Sequence, residues 1–167
     1  MLKKIFLKLI FLFCVISNVY CKDFVRGFPK IIDADTIVLN GIKIRLHGID
    51  APEVKQICSK PLLSFKLFSF SKEYECGKYA KNKLFQFVNK KKIKCFLDKK
   101  DFFDRYLGTC FYKKKNINSW LVKNGYALAF SKYSKKYIFD QNFAKKNRLG
   151  IWKGSFEKPW HWRKRNK

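Results

Sequence analysis

Acidic residues are scarce in this chain: 12 Asp and Glu stand against 38 Lys and Arg, for a formal net charge of +26. Such an excess points to a polyanionic partner, either nucleic acid or an anionic membrane surface. An AT-rich coding sequence would also favour Lys, and only six of the 38 cations are Arg, so bulk charge names a class of partner and no more. Histidine occurs only at His47 and His161, and no Cys-x-x-Cys pair is present. That leaves no set of ligands at zinc spacing. Repeats are absent, and so is any linker long enough to divide the chain into two domains.

What is present begins with residues 1–21, "MLKKIFLKLIFLFCVISNVYC". A Lys pair, an apolar run and a more polar end at Ser17 and Asn18 have the layout of a signal peptide, with retention as a membrane anchor as the alternative. Removal leaves residues 22–167, enough for one domain with a real core and a basic C-terminal tail. Export, to the periplasm or the medium, then sets the redox context. Four cysteines remain, Cys58, Cys76, Cys95 and Cys110, and in an oxidising compartment they favour two disulfides, for which three connectivities exist.

Along the chain, residues 25–46 read as strands, because "TIVL" and "IKIRL" flank Asn40-Gly41, a strong hairpin signal. Residues 54–75, with Pro61 and several Phe, read as a long irregular loop. Ala80, Leu84, Phe87 and Val88 recur at helical spacing, which predicts a helix over 77–89. "KIKCFLD" and "RYLGTCFY" read as two strands joined by a charged turn; antiparallel pairing would bring Cys95 near Cys110 and leave Cys58 and Cys76 to close the long loop. A short helix is expected from Asn118, ending at Gly125 in a left-handed cap, and another over about 137–147. The tail reads as aromatic packing followed by a solvated basic end. The pattern describes an α+β protein: a five-stranded, partly open β-barrel, of which the OB-fold is the common nucleic-acid-binding example, with about three helices.

The few acids are not spread evenly. Asp33, Asp35, Asp50 and Glu53 gather around Arg45. The turn at Asn40-Gly41 folds Asp35 back toward Arg45 and Asp50, although ten positions separate Asp35 from Arg45. Clustered carboxylates need a compensating cation to stay ionised. A Lys or Arg ion-pair network would provide it. A hard divalent cation held by Asp35, Asp50, a backbone carbonyl and waters would do so too, and Ca²⁺ tolerates such a mixed oxygen shell better than Mg²⁺.

"IDADTIVL", "IRLHGIDAPE" and "DRYLG", in that order, resemble the staphylococcal-nuclease-like (thermonuclease) family, and the likeness extends through "NSWLVKNGYA" and "AKKNRLGIW", from about Phe24 to Trp152. The resemblance implies an OB-fold with three helices that cleaves DNA and RNA with Ca²⁺, leaving 3′-phosphate and 5′-hydroxyl ends. By the same resemblance Asp35, Asp50 and the main-chain oxygen of Ala51 are the calcium ligands. Glu53 orients or deprotonates the attacking water, and Arg45 and Arg105 grip the scissile phosphate. Those residue types suit the chemistry, since a base activates water and guanidinium forks match the equatorial phosphate oxygens.

The chain departs from the family's pattern in places. Ala34 stands where the family usually has Gly, which matters if the backbone there needs a glycine-only conformation. "DFFDRY" places Asp104 beside Arg105, where it could tie up the guanidinium. The family's base-stacking tyrosines have no clean match; Phe130, Tyr133 and Tyr137 are candidates against a background of abundant core aromatics. A non-catalytic OB-fold module that binds nucleic acid is the alternative function. Retention of Asp35, Asp50, Glu53 and both arginines argues against it. A cationic membrane-surface protein would need a basic amphipathic helix, and the apolar face of the segment 77–92 is wanted by the core.

Overall fold

The computed structural model describes residues 23–64 and 69–166. The proposed signal segment lies outside them. Among the described residues no helix is long and apolar enough to cross a membrane.

The Asn40-Gly41 hairpin forms as its sequence dictates. Strands β3 (Thr36–Leu39) and β4 (Ile42–Leu46) pair antiparallel with Thr36 opposite Arg45 and Leu39 opposite Ile42. Both turn residues take positive φ, 50° at Asn40 and 81° at Gly41, the conformation that matches strand twist in a two-residue loop. Ahead of the hairpin lie β1 (Phe24–Gly27) and β2 (Lys30–Ile31), and after it β5 (Ile49–Asp50). The chain continues through β6 (Ile57–Ser64), β7 (Ser69–Glu75), helix α1 (Cys76–Val88), β8 (Ile93–Lys100) and β9 (Tyr106–Tyr112). It ends with β10 (Lys115–Asn116), α2 (Ile117–Lys123), β11 (Leu128–Ala129), α3 (Ile138–Lys146), a 3₁₀ turn at Gly150–Lys153 and α4 (Pro159–Arg165).

One sheet runs β1-β8-β9-β4-β3-β2 with β10 on β9. It therefore has seven strands where five were expected, the extra ones being two-residue pieces. Within it β9 lies parallel to β4, with Ile44 opposite Tyr106. That pairing brings the start of β9, and with it Arg105, alongside the strand that carries Arg45. Ile37, Leu39, Ile44, Leu46, Leu84, Ile93, Ile117 and Leu121 fill the core and are each at most 2% exposed. At roughly 1.5–3 kcal/mol for each such side chain, this burial is the main stabilising contribution.

Cys95 lies opposite Cys110 on β8 and β9, and the two are joined with Cα atoms 4.0 Å apart; Cys58 joins Cys76 at 5.6 Å. On α1, Ala80, Leu84 and Val88 form the buried stripe. Gly77 packs so tightly on the loop after β5 that a Cβ there would lie 1.7 Å from the Glu53 carbonyl oxygen.

Three expectations are corrected. Residues 54–75 are mostly a β-hairpin, β6 against β7, with a register shift between Pro61 and Leu63. Proline is tolerated at such an irregularity but hides the strand in the sequence. Helix α2 starts one residue early, capped by the Asn116 side chain, which accepts from Ser119 N at 3.0 Å. Asn118 is instead fully buried, accepting from Cys110 N and donating to the carbonyls of His47 and Gly108. The tail forms a fourth helix, α4, opened by Pro159 at its first turn; Lys164, Arg165 and Asn166 are exposed as expected, but Arg163 is half-buried. A second cluster of Cys58, Cys76, Leu128 and Ile151 holds Trp152, Phe156 and Trp160 against the body. The expected cap at Gly125 is present, with φ of 69°.

Candidate active site

Asp35 stands at the head of β3 and is 4% exposed; Asp50, on β5, is fully buried. Strand β11 fixes β5 from the other side, pairing Leu128 with Asp50. Between the two acids lies Arg45, whose Nη1 donates to Asp35 Oδ1 at 2.8 Å and Nη2 to Asp50 Oδ1 at 2.7 Å. Asp35 also accepts from Thr36 Oγ1 and, through Oδ2, from Ala51 N at 3.0 Å. The hairpin thus delivers Asp35, Arg45 and Asp50 to one point, as its geometry predicts.

Glu53 lies on the loop after β5, about one third exposed. Its backbone N–H donates to Gln56 Oε1 at 3.2 Å. The carboxylate accepts at Oε1 from Arg163 Nη1 at 2.7 Å, and Arg163 Nη2 reaches Asp50 Oδ1 at 3.1 Å and Oδ2 at 2.9 Å. Sequence reasoning missed Arg163 and Gln56. A signal existed for the first: arginine is rare in this Lys-rich chain, and Arg45, Arg105 and Arg163 all line one cleft of about 830 Å³.

Arg105 enters that cleft without touching the acid cluster. Asp101, not Asp104, holds it: Arg105 Nε donates to Asp101 Oδ2 at 2.8 Å, and Nη2 lies 2.7 Å from the same oxygen as an ion pair. Asp101 Oδ1 accepts from the backbone N–H groups of Phe103 and Arg105. Asp104 pairs with Lys100 on the surface. Ala34 is fully buried and is not among the residues with positive φ, so this backbone does not require glycine there. Phe130 and Tyr133 also line the cleft, whereas Tyr137 is 2% exposed and belongs to the core.

Burial raises the Asp50 carboxyl above its usual range, as does the charge of Asp35, while Arg163 and Arg45 act in the opposite sense. Asp33, hydrogen bonded to Asp35 N, is pushed up to about 7 by burial and by the neighbouring Asp35. Arg45 and Arg163 are held above the ordinary guanidinium value despite burial, because carboxylates face both. Three carboxylates, Asp35, Asp50 and Glu53, thus meet two guanidiniums directly, an excess of negative charge that a bound cation would offset. The available donors are carboxylate and carbonyl oxygens, the set hard cations prefer. No group of three or more His, Cys, Asp or Glu side chains among the described residues is arranged to hold a metal; Asp35, Asp50 and the Ala51 carbonyl supply only two side chains. By charge and by donor type these residues fit Ca²⁺.

Residues 43–154 match the family model described as "Staphylococcal nuclease homologue". The chain belongs to that family. It is 33% identical over 134 residues to "Succinoglycan biosynthesis protein ExoI" of Rhizobium meliloti, covering 78% of this chain and 66% of that protein. It is 30% identical to "Probable staphylococcal-like nuclease CAN3" of Oryza sativa, covering 78% of this chain and 30% of that one. With an "Uncharacterized endonuclease" of Haemophilus influenzae it shares 30% identity over 167 residues, 95% of this chain and 84% of the other. The chain therefore spans less than two thirds of ExoI and about a third of the rice nuclease. Family membership agrees with the expected α+β class and OB-fold. The matched stretch contains Arg45, Asp50, Glu53 and Arg105, while Asp35 precedes it and Arg163 follows it.

Proposed function

We propose that this chain is an exported, Ca²⁺-dependent, sugar-nonspecific endonuclease that hydrolyses phosphodiester bonds of DNA and RNA, leaving 3′-phosphate and 5′-hydroxyl ends. The observation that carries this reading is the placement of Glu53 in the cleft beside the buried Asp35–Arg45–Asp50 bridge. Family membership supports nuclease chemistry, and the joined cysteine pairs support an oxidising compartment.

Asp35, Asp50 and the Ala51 carbonyl would hold Ca²⁺, which when bound polarises the phosphate. Glu53 accepts the proton of the attacking water. Oε1 is taken by Arg163, and Oε2 has no hydrogen-bond partner among the described residues. As the water oxygen bonds phosphorus, the bond to the 5′ oxygen breaks, and that oxygen takes a proton from solvent water and leaves as a hydroxyl. Arg45 is locked between two carboxylates with its guanidinium plane fixed. Arg105, which lines the cleft, is held by Asp101 through Nε and an ion pair at Nη2. Both forks are preorganised, which is the condition for stabilising charge that grows in the transition state. The basic surface gathers the polyanion.

The test is incubation of the purified chain with plasmid DNA and with RNA, in Ca²⁺ and then in chelator, beside Glu53→Gln. Cleavage should need Ca²⁺, and Glu53→Gln should lower turnover by about 10²–10⁴-fold while nucleic-acid binding holds or tightens. Binding without cleavage by the parent would mark a non-catalytic OB-fold module. Near-normal turnover by well-folded Glu53→Gln would remove Glu53 from the chemistry.

A further inference from the structure

The side chain of Glu53 has one hydrogen-bond partner among the described residues, Arg163. That guanidinium is planar, and its second nitrogen straddles both oxygens of Asp50, at 3.1 and 2.9 Å. Asp50 is fully buried and pinned again by Arg45. A single rigid fork therefore sets the distance and angle between Glu53, which is partly exposed and otherwise free to turn, and an acid that cannot move.

The fork is itself well supported. Helix α4 is held at Trp160, which stacks on Phe130 with ring centres 5.3 Å apart and planes 15° from parallel. Just upstream, the Glu157 carbonyl accepts from Gln56 Nε2 at 2.6 Å, and the Oε1 of the same buried Gln56 accepts from Glu53 N. Ser59 N donates to the Ser155 carbonyl at 2.9 Å. One buried amide thus spaces the Glu53 loop from the segment that carries Arg163.

We propose that Arg163 is a positioning residue for hydrolysis, contributed by the C-terminal helix: it holds Glu53 through Oε1 so that Oε2 faces the attacking water. This rests on Glu53 being the base. Lysine could not replace it, because a single ammonium lacks the paired donors that bridge two carboxylates in one plane.

The experiment measures kcat and KM on a DNA oligonucleotide for the full chain with Arg163→Gln and Arg163→Lys, each in the parent and in the Glu53→Gln background, with thermal unfolding as the check on folding. A base displaced by about 1 Å costs up to roughly 10²-fold. Arg163→Gln should therefore lower kcat by about 10- to 100-fold with KM changed less than about threefold, and Arg163→Lys should recover only part of the loss. In the Glu53→Gln background the same substitution should cost less than about threefold, since a residue that acts through Glu53 has nothing left to position. An equal loss in both backgrounds would overturn the proposal by showing that Arg163 acts elsewhere. So would faster cleavage by Arg163→Gln at low Ca²⁺, which would make Arg163 a tethered cation that merely occupies the metal's place. Parent-like turnover by Arg163→Gln, with Glu53→Gln inactive, would sink this inference alone. Parent-like turnover by Glu53→Gln would sink the base assignment and this inference together.

Discussion

The proposed function gives Arg45 a role in turnover beside its place in the buried bridge, and substitution separates the two. Its Nη1 and Nη2 bond different carboxylates at 2.8 and 2.7 Å, and its side chain is 17% exposed against 6% and 0% for Asp35 and Asp50. Arg45→Lys keeps the charge, but one ammonium cannot satisfy both acids. At least one charge-assisted hydrogen bond is lost, worth about 1.5–3 kcal/mol. Arg45→Met removes the cation entirely. Breaking a buried pair in this way costs about 3–5 kcal/mol, and the lower figure applies here because Thr36 and Ala51 still serve Asp35 and Arg163 still serves Asp50.

At roughly 2–4 °C per kcal/mol for a chain of this size, Arg45→Lys should lower Tm by about 3–12 °C and Arg45→Met by about 6–12 °C. Thermal unfolding with and without Ca²⁺ checks this, and Ca²⁺ should restore more of the Met variant's loss, because that variant frees carboxylate oxygens. Turnover of the folded Lys variant, read on the same DNA, should fall by about 10²-fold or more, while binding changes little. A Tm within about 1 °C of the parent for Arg45→Met, where about 3 kcal/mol is expected, would refute the buried-bridge account. Parent-like turnover by the Lys variant would refute the fork.

Two further outcomes follow from other contacts. Reduction of the Cys95–Cys110 and Cys58–Cys76 bonds, which close separations of 15 and 18 residues, should destabilise the fold by about 3 kcal/mol for each loop in the chain-entropy model; an unchanged denaturant midpoint after complete reduction would contradict it. Asp101 is raised by burial, but hydrogen bonds from Arg105 and from the backbone N–H groups of Arg105 and Phe103 outweigh this and lower it. A depressed carboxylate adds stability above its unfolded value near 3.8, which is lost as pH falls through the lower folded value. Tm should therefore drop over that acid window in the parent and less steeply in Asp101→Asn, and parallel curves would show that Asp101 holds nothing.

The hairpin was legible because its code is local: Asn40-Gly41 fixes the turn, the turn fixes the register, and the register brings Asp35 to Arg45. The β8–β9 pairing was legible for the same reason. Other contacts depend on distant segments. The β6–β7 hairpin is concealed by Pro61, which strand patterns treat as a stop and a register shift accommodates. Asn118 was expected to open its helix, yet the cap lies at Asn116 and the buried Asn118 amide serves three backbone groups of other segments. Arg163 lies 110 positions from Glu53, and no periodicity links them. Only burial of Trp152, Phe156 and Trp160, whose partners arrive from four other elements, turns a basic terminus into part of the cleft.

Why a chain of net charge +26 gathers its acids then has an electrostatic answer. The Lys-rich surface and the acid cluster work at different ranges. Two unit charges 10 Å apart interact by about 0.4 kcal/mol in water, and physiological salt screens them over about 8 Å. The surface lysines can therefore draw in a polyanion collectively without deciding what occupies the cluster. Inside, Asp50 is fully buried and Asp35 nearly so, and contacts under 3 Å in a poorly screened setting outweigh the distant field. Two guanidiniums against three carboxylates leave the cluster short of positive charge, a shortfall that a bound cation would offset. A chain with scattered acids would bind nucleic acid equally well. It would lack the local negative charge that the proposed cation needs, and it would have no carboxylate in the cleft for the proposed role of base.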